Sequence, residues 1–108
     1  MALSYGIQPL PITKALELYD LLGEYLPEFD VEMQVLDFVG TIVDNIVEAN
    51  STAYADALCL MTKYDFVDLS EFSADVLLEM FAIGLTANDI IGLTKFCEDI
   101  GYAYRRRN

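Results

Sequence analysis

The segment Asp30–Val47, DVEMQVLDFVGTIVDNIV, carries the longest uninterrupted helical pattern of this 108-residue chain. With about 100° between successive residues of a helix, one broad side is apolar and consists of Val31, Val35, Leu36, Phe38, Val39, Ile42, Val43, Ile46 and Val47. The opposite side holds Asp37, Thr41, Asp44 and Glu48. Because an apolar arc of about half the circumference needs more than one neighbour to cover it, we expect a scaffold helix packed between the first and third helices.

Four further segments have helical periodicity, so the sequence predicts an all-α, compact bundle of about five helices. Their approximate ranges are 13–26, 52–64, 73–83 and 86–100. Pro27 ends the first, Asn50 interrupts the pattern after the second, and Gly84 and Gly101 are expected to end the last two. Possible helix starts are Asp68 with Glu71, Ser73 alone, and Thr86 with Asp89, the two pairs having capping-box spacing.

The two ends of the chain differ from this pattern. Residues 1–12 contain Pro9 and Pro11 and no charged side chain. Because proline is excluded from helix interiors, we expect an extended arm that packs on its own domain or is exchanged with a neighbouring subunit. Residues 102–108, YAYRRRN, form a basic tail. With neither an internal repeat nor a linker, residues 1–108 are expected to form a single domain.

The charge of the chain limits its partners. Residues 1–104 carry 18 acidic side chains and three lysines, a net charge of −15. Such a body repels nucleic acid and anionic membrane surfaces, so neither is an expected partner. Arg105, Arg106 and Arg107 could neutralise an acidic neighbour or the last helix terminus, or have no specific role. The acids are expected mainly to keep an apolar-rich chain soluble; an acidic anti-defence protein that imitates nucleic acid is the alternative.

Composition also favours a cytoplasmic location. The first residues, MALSYGIQPLP, lack the basic start and continuous apolar run of a signal peptide. Asp37 and Asp44 interrupt the most apolar segment, so a membrane-spanning helix is not expected. Cys59 and Cys97 are the only cysteines and both lie in apolar helical patterns. Two buried thiols in a reducing compartment are therefore expected.

Residues that could carry catalysis do not form a recognisable set. The chain has no histidine, so a cysteine or serine nucleophile lacks its usual base. The acidic pairs Asp20–Glu24 and Asp44–Glu48 have i,i+4 spacing, but carboxylate metal sites in helical bundles usually add histidine. Neither a complete calcium loop nor a glycine-rich phosphate loop is present. We expect no catalytic residues, no metal and no cofactor.

The fourth helix pattern has two apolar stripes rather than one. One contains Val76, Met80 and Ile83, and the other contains Leu77, Phe81 and Leu85. Ile91 falls on the far side of the next helix from its main apolar stripe. Two stripes indicate two packing partners, inside the domain or across an interface. Because these positions exceed what one core contact needs, Leu77, Phe81, Leu85 and Ile91 are predicted to bind a protein partner.

Three segments in order suggest a family. They are VLDFVGTIVDNI, AYADALCLMT and SADVLLEMFAIGLTANDIIGLTKFCEDIGY. With its Leu-Asp-Phe-Val segment, its Ala-Asp-Ala-Leu helix and its Phe-Cys-x-x-x-Gly-Tyr end, residues 35–102 resemble the small tail assembly chaperones of long-tailed bacteriophages. The likeness covers about two-thirds of the chain and consists of common helix residues.

The resemblance implies a non-enzymatic, acidic helical protein of the host-cell cytoplasm. Proteins of this kind coat the tape-measure protein, keep its long apolar helices soluble and help to recruit tail-tube subunits. Many such families also make an extended form by ribosomal frameshifting. A tape-measure-like client, a tail-tube protein and a further copy of the chain are the partners implied.

Overall fold

In residues 10–28 and 32–102, the part described by this computed structural model, the chain forms six α-helices and one 3₁₀ turn. The helices are α1 (Ile12–Leu22), α2 (Val35–Glu48), α3 (Ala53–Met61), α4 (Phe66–Leu69), α5 (Ala74–Ala87) and α6 (Ile90–Asp99), and the 3₁₀ turn Gly23–Tyr25 follows α1. The predicted all-α class is confirmed. Most of the predicted arm (residues 1–9), residues 29–31 and the tail after Tyr102 lie outside the described residues.

The predicted start of the second helix was too early where the structure describes it. Residues 32–34 are not helical, and α2 begins at Val35 after Gln34, whose backbone is extended. Asp30 itself lies outside the described residues. Two predicted helix ends are confirmed: Asn50 (φ 53°) follows α2, and Gly101 (φ 73°) follows α6. In both, the next N–H reaches back five residues, from Ser51 to Ile46 O and from Tyr102 to Cys97 O, as in a Schellman motif.

The boundary between α5 and α6 differs from the prediction. Gly84 does not end a helix; it is buried within α5, which continues to Ala87. The cost of glycine in a helix, about 1 kcal/mol, is offset because the added turn buries Leu85 completely. Thr86 therefore lies inside α5, where its hydroxyl donates to Ala82 O. Asp89, not Thr86, caps α6, and its carboxylate accepts the Gly92 N–H at 3.2 Å.

The caps of α4 and α5 follow from short polar side chains. The expected Asp68–Glu71 box is wrong by one turn: Asp65 Oδ1 accepts the Asp68 N–H at 2.9 Å, and Asp68 Oδ2 accepts the Asp65 N–H at 3.1 Å. This reciprocal pair encloses a helix of only four residues. Ser73 caps α5 by accepting the Val76 N–H, which confirms the second predicted start.

Helix α5 lies at the centre of the packing, in contact with α2, α3 and α6, while α1 packs mainly on α3. The expected position of the second helix between the first and third was wrong, because α2 packs mainly on α5, α6 and the 3₁₀ turn. The largest fully buried side chains are Leu18, Leu22, Phe38, Ile42, Ile46, Leu58, Met61, Met80, Phe81, Leu85, Ile90 and Cys97. They come from five helices, so the domain has one shared core.

Polar contacts tie distant parts of the chain to this core. Asn88 Oδ1 accepts the Leu10 N–H at 2.8 Å, and Asn45 Nδ2 donates to Tyr25 O at 2.9 Å. The Tyr102 hydroxyl donates to the Asp20 carboxylate at 3.0 Å, across 82 residues of sequence. These bonds hold the first and last described residues against the bundle.

The dimensions agree with a single compact globule. The radius of gyration is 13.1 Å, against about 13 Å for a domain of this length. Within the described ranges, no single helix is long and apolar enough to cross a membrane; α5 and α6 together, bent by 54°, pass on length and composition alone. Both helices contribute to the core of this domain.

Two helix glycines allow a matched test of this geometry. A Cβ at Gly40 would meet no atom within 4 Å, whereas one at Gly92 would collide with the Asp89 carboxylate that caps α6. We expect Gly40→Ala to raise the free energy of unfolding by about 0.5–1 kcal/mol. Gly92→Ala should fall short of that gain by about 1 kcal/mol, because the cap is displaced. Urea denaturation of both variants measures the difference, and equal gains would contradict the described α6 cap.

Candidate protein-binding surface

The predicted partner-binding residues of α5 belong to the core. Phe81 and Leu85 are fully buried and Leu77 is 9% exposed, while Ile91 in α6 is partly buried against the same cluster. The prediction rested on apolar positions beyond the needs of the core, and at Leu77, Phe81 and Leu85 the core occupies those positions. Three neighbouring helices pack on α5. In its other stripe Met80 is fully buried, and Val76 and Ile83 are partly buried, so both apolar sides of α5 contribute to packing inside the domain.

Helix α2 has the exposed apolar surface that α5 lacks. Its buried residues are Phe38, Val39, Ile42 and Ile46. Leu36, by contrast, is 78% exposed and Val47 is 55% exposed, with Val43 partly buried between them. The broad apolar arc seen in the sequence is thus two faces. The inner face packs in the core, and the outer face is exposed at Leu36 and Val47 and partly buried at Val43, which also contacts the core.

We name the outer face the α2 seam and define it as Leu36, Gly40, Val43 and Val47. Successive members are four, three and four residues apart, so on a helical wheel they fall within an arc of about 60°. Beside Gly40 there is open space, since an added Cβ would have no neighbour within 4 Å. This spacing is the same as that of a side-by-side contact between two helices. The same spacing is present in the sequence, but there it cannot be separated from the wider apolar arc to which three of the four residues belong.

Carboxylates border one edge of the α2 seam. Asp37, Asp44 and Glu48 are all exposed, and on the wheel they lie about 40–80° beyond the nearer edge of the seam, on the side away from the core. The seam is therefore an uncharged strip between the protein core and a row of negative charge. Such a surface can contact apolar and basic groups together.

Other apolar side chains are exposed in smaller groups. Phe66 and Val67 lie on α4, and Phe96 lies on α6, one turn before the C-cap residue Ile100. Phe66 also lines a depression of about 200 Å³ with Leu21, Asp56, Cys59 and Leu60. None of these groups has the eleven-residue extent of the α2 seam.

The two cysteines are poor nucleophiles. Cys97 is fully buried and Cys59 is partly buried. Burial is the main cause that raises the pKa of each thiol; Asp56 and Asp65 also raise the pKa of Cys59, and Asp20 that of Cys97. Because the thiolate is the reactive form, both side chains are predominantly protonated at neutral pH. The predicted burial is confirmed for Cys97 and is only partial for Cys59.

The carboxylates form open surfaces rather than clusters. Glu24 and Glu48 line an open groove of about 540 Å³ together with Tyr25, Asn45 and Ala49. In residues 10–28 and 32–102, no group of three or more His, Cys, Asp or Glu side chains is arranged to hold a metal ion. The groove therefore offers negative charge without a coordination site.

Comparison with models of protein families, with curated proteins and with solved structures finds no match. The function is therefore argued from the surface and charge of the chain itself.

Replacement of two phenylalanines distinguishes core from surface. Phe81 has no exposed area and Phe96 is 45% exposed. We expect Phe81→Ala to cost about 3–5 kcal/mol of unfolding free energy, and Phe96→Ala about 1 kcal/mol or less, because part of its ring is already in water. Thermal or urea unfolding checks both. A small loss for Phe81→Ala would return that residue to the candidate surface.

Proposed function

We propose that this chain is a phage tail assembly chaperone, a non-enzymatic protein that keeps a long helical client of the tape-measure type soluble in the host-cell cytoplasm. The observation that carries the proposal is the α2 seam, an apolar helix face that is exposed at Leu36 and Val47, on a strongly acidic helical globule. The resemblance of residues 35–102 to such chaperones supplies the identity of the client.

The combination of seam and charge suits the task physically. Long apolar helices aggregate because each exposes a stripe that another can cover. A chaperone must cover that stripe and then prevent the covered complexes from associating. The α2 seam supplies apolar contact, and a net charge of −12 supplies repulsion between complexes. Recruitment of a tail-tube protein and self-association are further parts of this proposal.

The alternative, imitation of nucleic acid by the acidic surface, stays a prediction. Asp37, Asp44 and Glu48 are exposed on one side of α2, as it would require. They run beside an apolar strip, however, whereas a basic nucleic-acid channel contacts mainly phosphate charge. A partner with both an apolar and a charged face fits this arrangement better.

Co-expression with tape-measure fragments tests the proposal. The probe is a set of overlapping helical fragments of the tape-measure protein of a long-tailed bacteriophage. We expect at least one fragment to move from the insoluble to the soluble fraction and to co-purify with the chain. Acidic proteins of similar size and unrelated fold serve as the control, because they show whether negative charge alone makes a fragment soluble. If every fragment remains insoluble and unbound, the proposal is wrong.

A further inference from the structure

We infer that the α2 seam and its carboxylate edge dock an amphipathic helix of another protein, one whose apolar stripe is bordered by lysine or arginine. The inference rests on the proposed function for the expectation of a helical client. It adds where the client lies and which chemistry it presents.

The seam has the length and profile of a helix-binding face. Leu36 and Val47 are eleven residues apart, which corresponds to about 16 Å, or three helical turns. Its end residues are the large exposed ones, and Gly40 leaves a notch between Leu36 and Val43. A partner helix that lies along this strip can place a large apolar side chain in the notch, as in knobs-into-holes packing.

The edge charges specify the partner further. Asp37, Asp44 and Glu48 lie along the solvent side of the seam, so they face the residues that flank the apolar stripe of a docked helix. Lysine or arginine at those flanking positions gives complementary pairs, and acidic residues there give repulsion.

The same charges argue against a second copy as the occupant. If two α2 helices paired antiparallel about a twofold axis, symmetry would place both carboxylate edges, six acidic side chains in all, on the same side of the contact. In a parallel pair the two edges would lie on opposite sides, and neither would meet a basic residue, because α2 has none. A basic helix supplies compensating charge at this edge, whereas a second copy supplies none in either arrangement.

The other exposed groups do not meet both criteria. Helix α4 is only four residues long, so Phe66 and Val67 cannot form a seam of several turns. Phe96 and Ile100 span a single turn at the C-terminal end of α6. Of helices α2, α4 and α6, only α2 combines an apolar strip of three turns, exposed at both of its ends, with a charged edge.

A designed peptide tests the inference without the natural client. The probe has three heptads with leucine at a and d and lysine at e and g; its matched control has glutamate at e and g. We expect the lysine peptide to bind the full chain, measured by fluorescence anisotropy, at least about tenfold more tightly than the glutamate peptide. Equal affinity for the two peptides would contradict the role of the carboxylate edge.

Variants of the chain then locate the bound peptide. Leu36→Ser with Val47→Ser should weaken binding of the lysine peptide at least about tenfold, while Val67→Ser, an equally exposed site on α4, should leave it unchanged. Asp37→Asn with Asp44→Asn should weaken it more than Asp75→Asn with Glu79→Gln, which removes the same charge from α5. Circular dichroism confirms that each variant is folded.

Two results would overturn the inference. One is unchanged peptide binding by the Leu36→Ser, Val47→Ser variant. The other is a dimer of the unmodified chain in sedimentation that this variant dissociates, because the seam would then hold a second copy. The proposed function is judged separately, on tape-measure fragments. If the chain solubilises a fragment equally well with and without an intact seam, the proposed function stands and the docking site is wrong. If the seam binds the lysine peptide but no fragment becomes soluble, the docking site stands and the proposed function is wrong.

Discussion

Burial of α5 on three sides is the interaction on which the rest of the domain depends. Met80, Phe81 and Leu85 have no exposed area, and the helices that cover them are α2, α3 and α6. At about 1.5–3 kcal/mol for each large side chain removed from water, this contact is a major part of the core. It also determines which face of each neighbouring helix turns inward, and therefore which face remains for a partner.

Packing on α5 divides the apolar arc of α2 into two faces. Phe38 and Ile42 turn toward the core, and Leu36 and Val47 remain in water beside a row of carboxylates. A single exposed leucine on a helix is common in soluble proteins. The four residues of the α2 seam, however, follow one line along the helix and together form a continuous apolar strip on an acidic protein. The proposed chaperone function and the basic-edged helix that we infer as its ligand both follow from this division.

The sequence was sufficient for features that depend on local chemistry. The all-α class, the cap at Ser73 and the ends at Asn50 and Gly101 follow from periodicity, side-chain capping and left-handed backbone. It was not sufficient where tertiary packing decides. Gly84 predicted a helix end, yet burial of Leu85 keeps α5 helical. On a helical wheel, Leu36 and Phe81 both fall on an apolar side of their helix. Leu36 is exposed and Phe81 is buried because of where the neighbouring helices pack, which the wheel does not show.

The central claim is that α2 has an inner face for the core and an outer face for a partner. Methyl NMR spectra of the chain during titration with the lysine peptide test it most directly. The account predicts that the methyl signals of Leu36, Val43 and Val47 shift first and most, while those of Leu77 and Leu85 remain in place. Shifts concentrated at Leu77 and Leu85, with the α2 seam unaffected, would contradict it.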